Sequence, residues 1–133
     1  MRSSTQEVVV LYREKFVFVV DDTFDDLHLI SFYLQGKWGV GRVKTASDGR
    51  EALVKLNDLV SSRSKLPDLI LTDLNMTPMK GDSFIDALVS NDELKNIPVV
   101  LMSGASPEFV NDIELSKSGD LRADIGKVLS KYL

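Results

Sequence analysis

The sequence predicts an α/β fold in which helices cover both faces of a doubly wound, five-stranded parallel sheet. Short apolar runs alternate with segments of helical periodicity from about residue 15 to residue 133, an order typical of parallel sheets with crossover helices. No Pro-, Gly- or Ser-rich stretch interrupts this region, and 44% of the 133 residues are hydrophobic. Acidic residues directly follow two of the apolar runs, at the end of a strand where such sheets place their ligands.

Five apolar runs are the candidate strands. The run from Ile97 to Met102 is the most continuous, and Pro98 interrupts it only near its start, where a strand tolerates proline. We therefore expect this run to be the fully buried central strand. The strands are predicted at residues 16–20, 40–45, 69–72, 97–102 and 113–115.

Four further segments have the apolar spacing of amphipathic helices. For the first helix, Asp22 or Thr23 is available as the N-cap and Gly36 as the C-terminal stop. Asp48 precedes the second helix, and Asp120 is expected to cap the last one. The apolar positions that define the four helices are Leu27, Ile30, Tyr33 and Leu34; Ala52, Leu53, Leu56, Leu59 and Val60; Phe84, Ile85, Leu88 and Val89; and Leu121, Ile125, Val128, Leu129 and Tyr132.

Composition excludes several classes of partner and site. The formal net charge is −4 without an obvious Lys- and Arg-rich face, so nucleic acid is not an expected partner. Cysteine is absent, which rules out disulfides and thiolate metal sites. No apolar run approaches the roughly 18 residues of a membrane span, and no signal peptide is evident. We expect a cytoplasmic protein that does not bind membranes.

The predicted domain covers residues 15–133, and residues 1–14 form an N-terminal extension of uncertain structure. Within the extension, the run from Val8 to Tyr12 is apolar enough for an edge strand. A short helix or a contact with a partner fits this run as well. No segment remains for a DNA-binding or catalytic output domain, so we expect the domain to act alone.

Three aspartates close two of the predicted strands. Asp21 and Asp22 follow the first strand, and Asp73 follows the third. The carboxyl ends of parallel strands meet at one edge of a sheet, so these side chains are expected to lie close together. Carboxylates in such proximity repel one another unless a cation balances them, and oxygen ligands suit Mg²⁺. The sequence therefore predicts a magnesium site.

The order and spacing of four segments resemble the receiver domains of two-component response regulators. In that family a histidine kinase passes a phosphoryl group to an aspartate. The resemblance covers about residues 15 to 133 and implies the flavodoxin-like receiver fold. The matching segments are Val19-Val20-Asp21-Asp22, the run from Asp68 to Phe84, the run from Ile97 to Gly104, and Leu115-Ser116-Lys117.

By this resemblance, Asp73 is the phosphoacceptor. Asp22 and Asp73 would bind Mg²⁺ directly, and Asp21 would act through a water molecule. Asn75 would supply its backbone carbonyl oxygen to the metal. Such a set fits Mg²⁺, which prefers oxygen ligands and retains waters, and which would balance charge between the carboxylate and an incoming phosphoryl group.

The resemblance also implies how the phosphorylated state is recognised. Ser103 would donate a hydrogen bond to the phosphoryl group, and Lys117 would make a charged contact with it. The donor would be a histidine kinase or a histidine phosphotransfer protein, and an unidentified downstream protein would read the state. The expected chemistry is phosphoryl transfer to the domain itself and later hydrolysis, rather than turnover of an external substrate.

One departure from the family concerns the helix that usually separates the fourth and fifth strands. Ser103 and Lys117 are about one helix closer than the family places the matching residues, so we expect this fourth helix to be shortened or replaced by a loop. A competing alignment assigns the family lysine to Lys131. We prefer Lys117, because residues 121–133 have helical periodicity.

Two other functions fit parts of the sequence. The run from Asp73 to Thr77 faintly echoes the DxDxT motif of haloacid-dehalogenase-like phosphatases, which form an aspartyl phosphate. Asn75 stands where their second aspartate acts as general acid and base, and an amide has no titratable proton for that role. The other alternative is a pseudo-receiver that only binds partners, and the intact aspartate set argues against it.

Overall fold

The computed structural model describes residues 12–73, 81–103, 113–116 and 120–133, with the backbone alone described at 81, 82, 103 and 113–116. Strands and helices alternate along this part of the chain. The strands are β1 (Phe16–Val20), β2 (Arg42–Ala46), β3 (Leu69–Asp73), β4 (Val99–Ser103) and β5 (Ile113–Ser116), and the α-helices are α1 (Phe24–Phe32), α2 (Gly49–Ser61), α3 (Gly81–Val89) and α4 (Leu121–Tyr132).

The five strands form one sheet in the order β2-β1-β3-β4-β5, and every neighbouring pair is parallel. The predicted doubly wound α/β fold is therefore confirmed. After β1 the chain moves outward to β2 and then crosses to β3 on the other side. The strand order thus reverses between β1 and β3, and ligands of such sheets bind beyond the carboxyl ends of the strands at this point.

Helices cover both faces of the sheet. Val17 and Val19 of β1 pack into the hydrophobic cluster that includes residues of α1 and α4, whereas Phe16 and Phe18 pack into the cluster of α2 and α3. This alternation follows from the two-residue period of a strand. All residues of β1 and β3 are buried, and full burial of one large apolar side chain contributes about 1.5–3 kcal/mol.

β4 is not the central strand that its long apolar run predicted. β3 occupies the centre, and β4 lies between β3 and β5. Val100 and Met102 are buried, but Val99 and Leu101 are only half-buried. The prediction was wrong because hydrophobicity reports how well a strand is covered, whereas its lateral position depends on the crossover connections.

The first helix also ends differently from the prediction. A π-helical turn, Tyr33–Lys37, continues α1 and includes Gly36. The amide of Trp38 donates a hydrogen bond to the carbonyl oxygen of Tyr33 at 3.1 Å. Gly39, with φ of 70°, follows in the left-handed conformation that favours glycine after a helix. The stop is therefore Gly39 and not Gly36, since the π turn carries the helix past the first glycine.

Two of the predicted helix caps are confirmed. Asp48 Oδ1 accepts a hydrogen bond from the amide of Glu51 at 2.8 Å at the start of α2. Asp120 Oδ1 accepts one from the amide of Ala123 at 3.2 Å at the start of α4. Thr23 is the N-cap of α1, but its side chain makes no capping hydrogen bond. The beginning of α1 therefore depends on other contacts.

The chain that leads into β1 is fixed at the amino edge of the sheet. The amide of Gly41 donates to the carbonyl oxygen of Tyr12 at 3.1 Å, and Lys65 Nζ donates to that of Glu14 at 2.7 Å. A Cβ atom on Gly41 would overlap the carbonyl oxygen of Arg13. Contacts with the body of the fold thus begin before the predicted domain boundary. Residues 1–11 lie outside the described part, so the nature of the extension stays a prediction.

The predicted shortening of the fourth helix concerns the connection between β4 and β5. Residues 104–112 lie outside the described residues, so the shortened helix or loop stays a prediction. The competing alignment at Lys131 is wrong, because this residue belongs to helix α4 and not to the end of a strand.

Among the helices in the described ranges, none has the length and hydropathy needed to cross a bilayer.

Candidate functional site

The structure brings three of the predicted site residues together at the carboxyl edge of the sheet. One carboxylate oxygen each of Asp21, Asp22 and Asp73 lies within 4.8 Å of the other two. Asp21 is fully buried and Asp73 is 5% exposed, whereas Asp22 is exposed. Two carboxylates therefore line the inside of the site, and the third faces solvent.

Strand pairing explains why residues so far apart in sequence meet. In the parallel register of β1 and β3, Val20 is opposite Thr72. Asp21 follows Val20 and Asp73 follows Thr72, so the two aspartates lie side by side. The amide of Asp21 also donates to the carbonyl oxygen of Ala46 at 3.1 Å, which extends the β1–β2 ladder by one bond. The backbone of the site is therefore held by strands on both sides.

A local turn orients the side chain of Asp21. Its Oδ1 accepts a hydrogen bond from the amide of Thr23 at 2.9 Å, which is the pattern of an Asx turn. α1 begins at the next residue, Phe24. Thr23 was predicted only as a possible cap, and the role of its amide was not predicted. An aspartate two residues before a helix N-cap is the signal that predicts this turn.

Thr72 is a buried polar residue in the strand that carries Asp73. It is fully buried, and its hydroxyl donates to the carbonyl oxygen of Asp73 at 3.2 Å. The hydroxyl is therefore satisfied within the strand, as buried polar groups usually are. This hydrogen bond stabilises the backbone at the end of β3.

The three carboxylates fit a hard divalent cation. Two like charges 4 Å apart repel by about 4 kcal/mol at an effective dielectric constant of about 20. Mg²⁺ binds carboxylate oxygens and keeps several of its waters, and the exposed side of the cluster at Asp22 gives those waters access to solvent. The donor set and its partial exposure therefore match the chemistry of magnesium.

The remaining predicted site residues are only partly within the described chain. Asp73 is opposite Met102 in the β3–β4 register, so the backbone of Ser103 lies one position beyond the residue opposite Asp73. The side chain of Ser103 is not among the described parts. Asn75 and Lys117 lie outside the described residues. Their assigned roles, and those of the aspartates, stay predictions.

A separate cleft of about 240 Å³ lies between α1 and β2. None of the three aspartates lines it. Its histidine, His28, is exposed and stacks on Phe24 with 6.3 Å between ring centroids. His28 therefore lies on an open face of α1. The residues lining the cleft are Phe24, Leu27, His28, Ser31 and Thr45.

Comparison with known families decides the class of the protein. The family described as response regulator receiver domain matches residues 17–119, which is more than half of the chain. The chain belongs to this receiver family. The sequence resemblance is therefore confirmed, and the family is one of signalling domains rather than conventional enzymes.

In the curated relatives, the region that matches this chain is part of a longer protein. The chain is 31% identical over 109 residues to hybrid signal transduction histidine kinase D of Dictyostelium discoideum, with 82% of this chain and 6% of that protein covered. It is 37% identical over 90 residues to two-component response regulator ORR3 of Oryza sativa subsp. indica, with 68% of this chain and 63% of that protein covered. The chain thus spans less than two thirds of either relative.

Solved structures share the receiver fold. Chemotaxis response regulator CheY4 of Vibrio cholerae is 28% identical, with a TM-score of 0.71 and coverage of 90% of this chain and 98% of that chain. The receiver domain of histidine kinase CKI1 from Arabidopsis thaliana, solved in complex with Mg²⁺ and BeF₃⁻, is 26% identical, with a TM-score of 0.74 and coverage of 95% and 97%.

Proposed function

We propose that this domain accepts a phosphoryl group on Asp73 with the help of Mg²⁺ held by Asp21, Asp22 and Asp73. The observation that carries the proposal is the meeting of these three carboxylates within 4.8 Å at the end of β1 and β3. The Mg²⁺ complex of the CKI1 receiver supports the choice of metal. The donor is the phosphohistidine of a histidine kinase or of a histidine phosphotransfer protein.

In the proposed transfer, a carboxylate oxygen of Asp73 attacks the phosphorus atom of the phosphohistidine. The new oxygen–phosphorus bond forms as the phosphorus–nitrogen bond breaks, and the imidazole nitrogen leaves with the electron pair. When bound, Mg²⁺ would offset the negative charge of the carboxylate and the phosphoryl oxygens. Because Asp73 is 5% exposed, the donor must approach from the carboxyl edge, and this restriction aligns the reacting atoms.

The aspartates have different proposed tasks. The amide of Thr23 holds one oxygen of Asp21, so Asp21 keeps a fixed orientation and would contact the ion through water. Asp22, on the solvent side, would bind the ion directly. Asn75 would add a backbone carbonyl oxygen. Together these groups would hold the metal beside Asp73.

We assign recognition of the phosphorylated state to Ser103 and Lys117. Hydrogen bonds to a phosphoryl group are charge-assisted and strong, so both side chains would gain a partner when Asp73 is modified. Such local changes can bias a larger surface between two states. The downstream protein would read that surface, and both the donor and this reader would meet the domain in the cytoplasm.

Labelling with acetyl phosphate tests the proposal without a protein donor. In the presence of Mg²⁺, intact mass should increase by one phosphoryl group, and removal of Mg²⁺ with a chelator should prevent the increase. Asp73→Ala should remain unlabelled. Asp25→Ala is the matched control, because Asp25 is an exposed acid in the first turn of α1 outside the cluster. Labelling of Asp73→Ala at the wild-type level would refute the assignment.

The same experiment separates the alternatives. Absence of any label on the wild-type chain would support the pseudo-receiver. Receiver-family membership and the parallel sheet order remove the support for a haloacid-dehalogenase-like phosphatase, so that function is not retained.

A further inference from the structure

A close contact joins the end of the first helix to the terminal helix. The ring of Trp38 lies directly on Gly126 in α4: a Cβ atom built on this glycine would be 2.6 Å from Cη2 of Trp38, and closer still to Cζ2. Cβ atoms essentially never approach other atoms so closely. Glycine is a poor helix former, and Gly126 lies inside a helix, so its packing against Trp38 explains its presence there.

Trp38 also carries an unpaired donor. Its Nε1 atom is buried and has no hydrogen-bond partner. Within the described ranges, every other buried side-chain nitrogen or oxygen has a partner. The ammonium group of Lys37 lies 5.6 Å from the ring centroid. Buried donors are nearly always satisfied, and an unsatisfied one is unfavourable. Packing against α4 therefore holds the ring where its N–H loses hydrogen bonds that water would provide.

The backbone that presents Trp38 has an unusual geometry. The amide of Trp38 bonds to the carbonyl oxygen of Tyr33, and that of Val40 bonds to Leu34 at 2.9 Å. In an α-helix, the amide of Trp38 would reach Leu34 instead. A change from the π turn to an α turn would rotate the Trp38 side chain around the helix axis. The ring would then point in a different direction.

Both helices in this contact begin at the edge that holds the acidic cluster. α1 starts two residues after Asp22, and α4 starts at Leu121, beyond the end of β5. A phosphoryl group adds about −1.5 to −2 charges near neutral pH, and helix N-termini attract negative charge. Modification at this edge would therefore favour small shifts of both helices toward the new charge. The Trp38–Gly126 contact connects the parts of these helices that lie farther away.

We propose that the Trp38–Gly126 contact is a two-position latch. In the unmodified domain the latch is closed, with the ring on α4 and Nε1–H unpaired. When Asp73 carries a phosphoryl group the latch opens: the π turn becomes an α turn, and Nε1–H bonds to water. This inference rests on the proposed phosphorylation of Asp73, and it identifies the α1–α4 side of the domain as a surface that changes with modification.

The chain contains a single tryptophan, so fluorescence reports on the latch directly. Acetyl phosphate and Mg²⁺ are added while intact mass is followed in the same sample. Formation of the label should shift the emission to longer wavelength and raise the acrylamide quenching constant, because the ring becomes exposed to solvent. Both signals should return as the phosphoryl group is hydrolysed.

The outcomes distinguish the two proposals. A label without a change in emission or quenching overturns the latch and leaves the proposed function intact. Absence of a label overturns both, because the latch requires modification. An emission change that also occurs in unlabelled Asp73→Ala under the same conditions would show that Mg²⁺ or acetyl phosphate itself moves Trp38, and would likewise overturn the latch.

Variants test the closed position independently of phosphorylation. Gly126→Ala should give the long-wavelength emission without any donor, because its methyl group excludes the ring. Lys127→Ala is the control, because Lys127 is exposed on the same helix next to Gly126 and lies outside the π turn. Wild-type emission in folded Gly126→Ala would overturn the proposal.

Trp38→Phe would remove both the unpaired Nε1–H donor and the indole atoms Cζ2 and Cη2 that lie on Gly126, so hydrogen exchange of the wild-type indole N–H is the second measurement if Gly126→Ala fails to fold. The Nε1–H of Trp38 should exchange slowly in the unmodified domain and faster once Asp73 is labelled. Equal exchange in the two states would overturn the proposal.

Discussion

The two edges of the sheet are built in opposite ways. At the carboxyl edge, Asp21, Asp22 and Asp73 bring like charges within 4.8 Å of one another. At the amino edge, the carbonyl oxygens of Tyr12 and Glu14 accept hydrogen bonds from other segments. The first arrangement brings like charges together at a site suited to a cation, whereas the second stabilises the fold. Substitutions at one edge should therefore change chemistry, and substitutions at the other should change stability.

The largest stability effect is expected at the amino edge. Gly41→Ala would force its methyl group into the carbonyl oxygen of Arg13, so the free energy of unfolding should fall by about 1–3 kcal/mol. Urea denaturation followed by circular dichroism measures this change. Phosphoryl labelling of the folded fraction should persist, because Gly41 is remote from the acidic cluster.

Gly36→Ala is the matched control for Gly41→Ala. Its Cβ would be in ordinary contact with Phe32, and alanine is the better helix former by about 0.8–1 kcal/mol. Stability should stay the same or rise. Equal destabilisation by the two substitutions would contradict a specific contact between Gly41 and the incoming chain.

Metal binding should have the next largest effect, at the carboxyl edge. A tenfold excess of Mg²⁺ over its dissociation constant should stabilise the wild type by about 1.4 kcal/mol. Asp22→Asn should lose most of this gain, whereas Asp25→Asn should retain it. Thermal unfolding with and without Mg²⁺ measures the difference. An undiminished magnesium effect in Asp22→Asn would exclude this carboxylate as a ligand.

An acid outside the cluster should behave differently from Asp22. Asp48 caps α2 by accepting a hydrogen bond from the amide of Glu51, so Asp48→Ala should lower the free energy of unfolding by about 0.5–2 kcal/mol. In the absence of metal, Asp22→Asn should not destabilise, because it removes a repulsive charge. Urea denaturation measures both changes. Equal destabilisation by these two substitutions would contradict the expectation that Asp48 stabilises the fold and Asp22 does not.

The smallest effect concerns Glu51 and pH. Hydrogen bonds from Lys55 and then from Ser47 lower the pKa of Glu51 to about 2. A lowered pKa stabilises the fold fully above the ordinary value of 4.5, and this stabilisation is lost as pH falls toward 2. Because the side chain is 39% exposed, its contribution should be below about 1 kcal/mol.

Comparison of Glu51→Gln with the wild type isolates this contribution. The difference in free energy of unfolding should be greatest near neutral pH and should shrink on acidification below about pH 4.5. Denaturant titrations at several pH values provide the measurement. A difference that does not vary with pH would indicate that the carboxylate charge plays no part.

Local sequence signals predicted the regular parts of the fold. The alternation of apolar runs and helical periodicity predicted the parallel sheet, and the positions of Asp48 and Asp120 predicted two helix caps. Strand-end positions also predicted that Asp21 and Asp73 would approach each other. These features depend on short segments and on the two-residue period of strands, both of which a sequence displays directly.

Features that depend on contacts between distant segments were not predictable in this way. Gly36 and Gly39 are both suitable helix stops by composition, and the π turn that favours the second places Trp38 against Gly126 on the terminal helix. The lateral position of β4 likewise depends on how the crossovers pack. Hydrophobic periodicity records neither of these relationships.

The most direct test of the account is to identify the residue that carries the phosphoryl group. After treatment with acetyl phosphate and Mg²⁺, borohydride reduction converts an aspartyl phosphate to homoserine, which peptide mass spectrometry locates. The account predicts homoserine at position 73 and only when Mg²⁺ is present. Homoserine at another aspartate, or its formation at position 73 without a divalent cation, would contradict the magnesium-assisted site formed by β1 and β3.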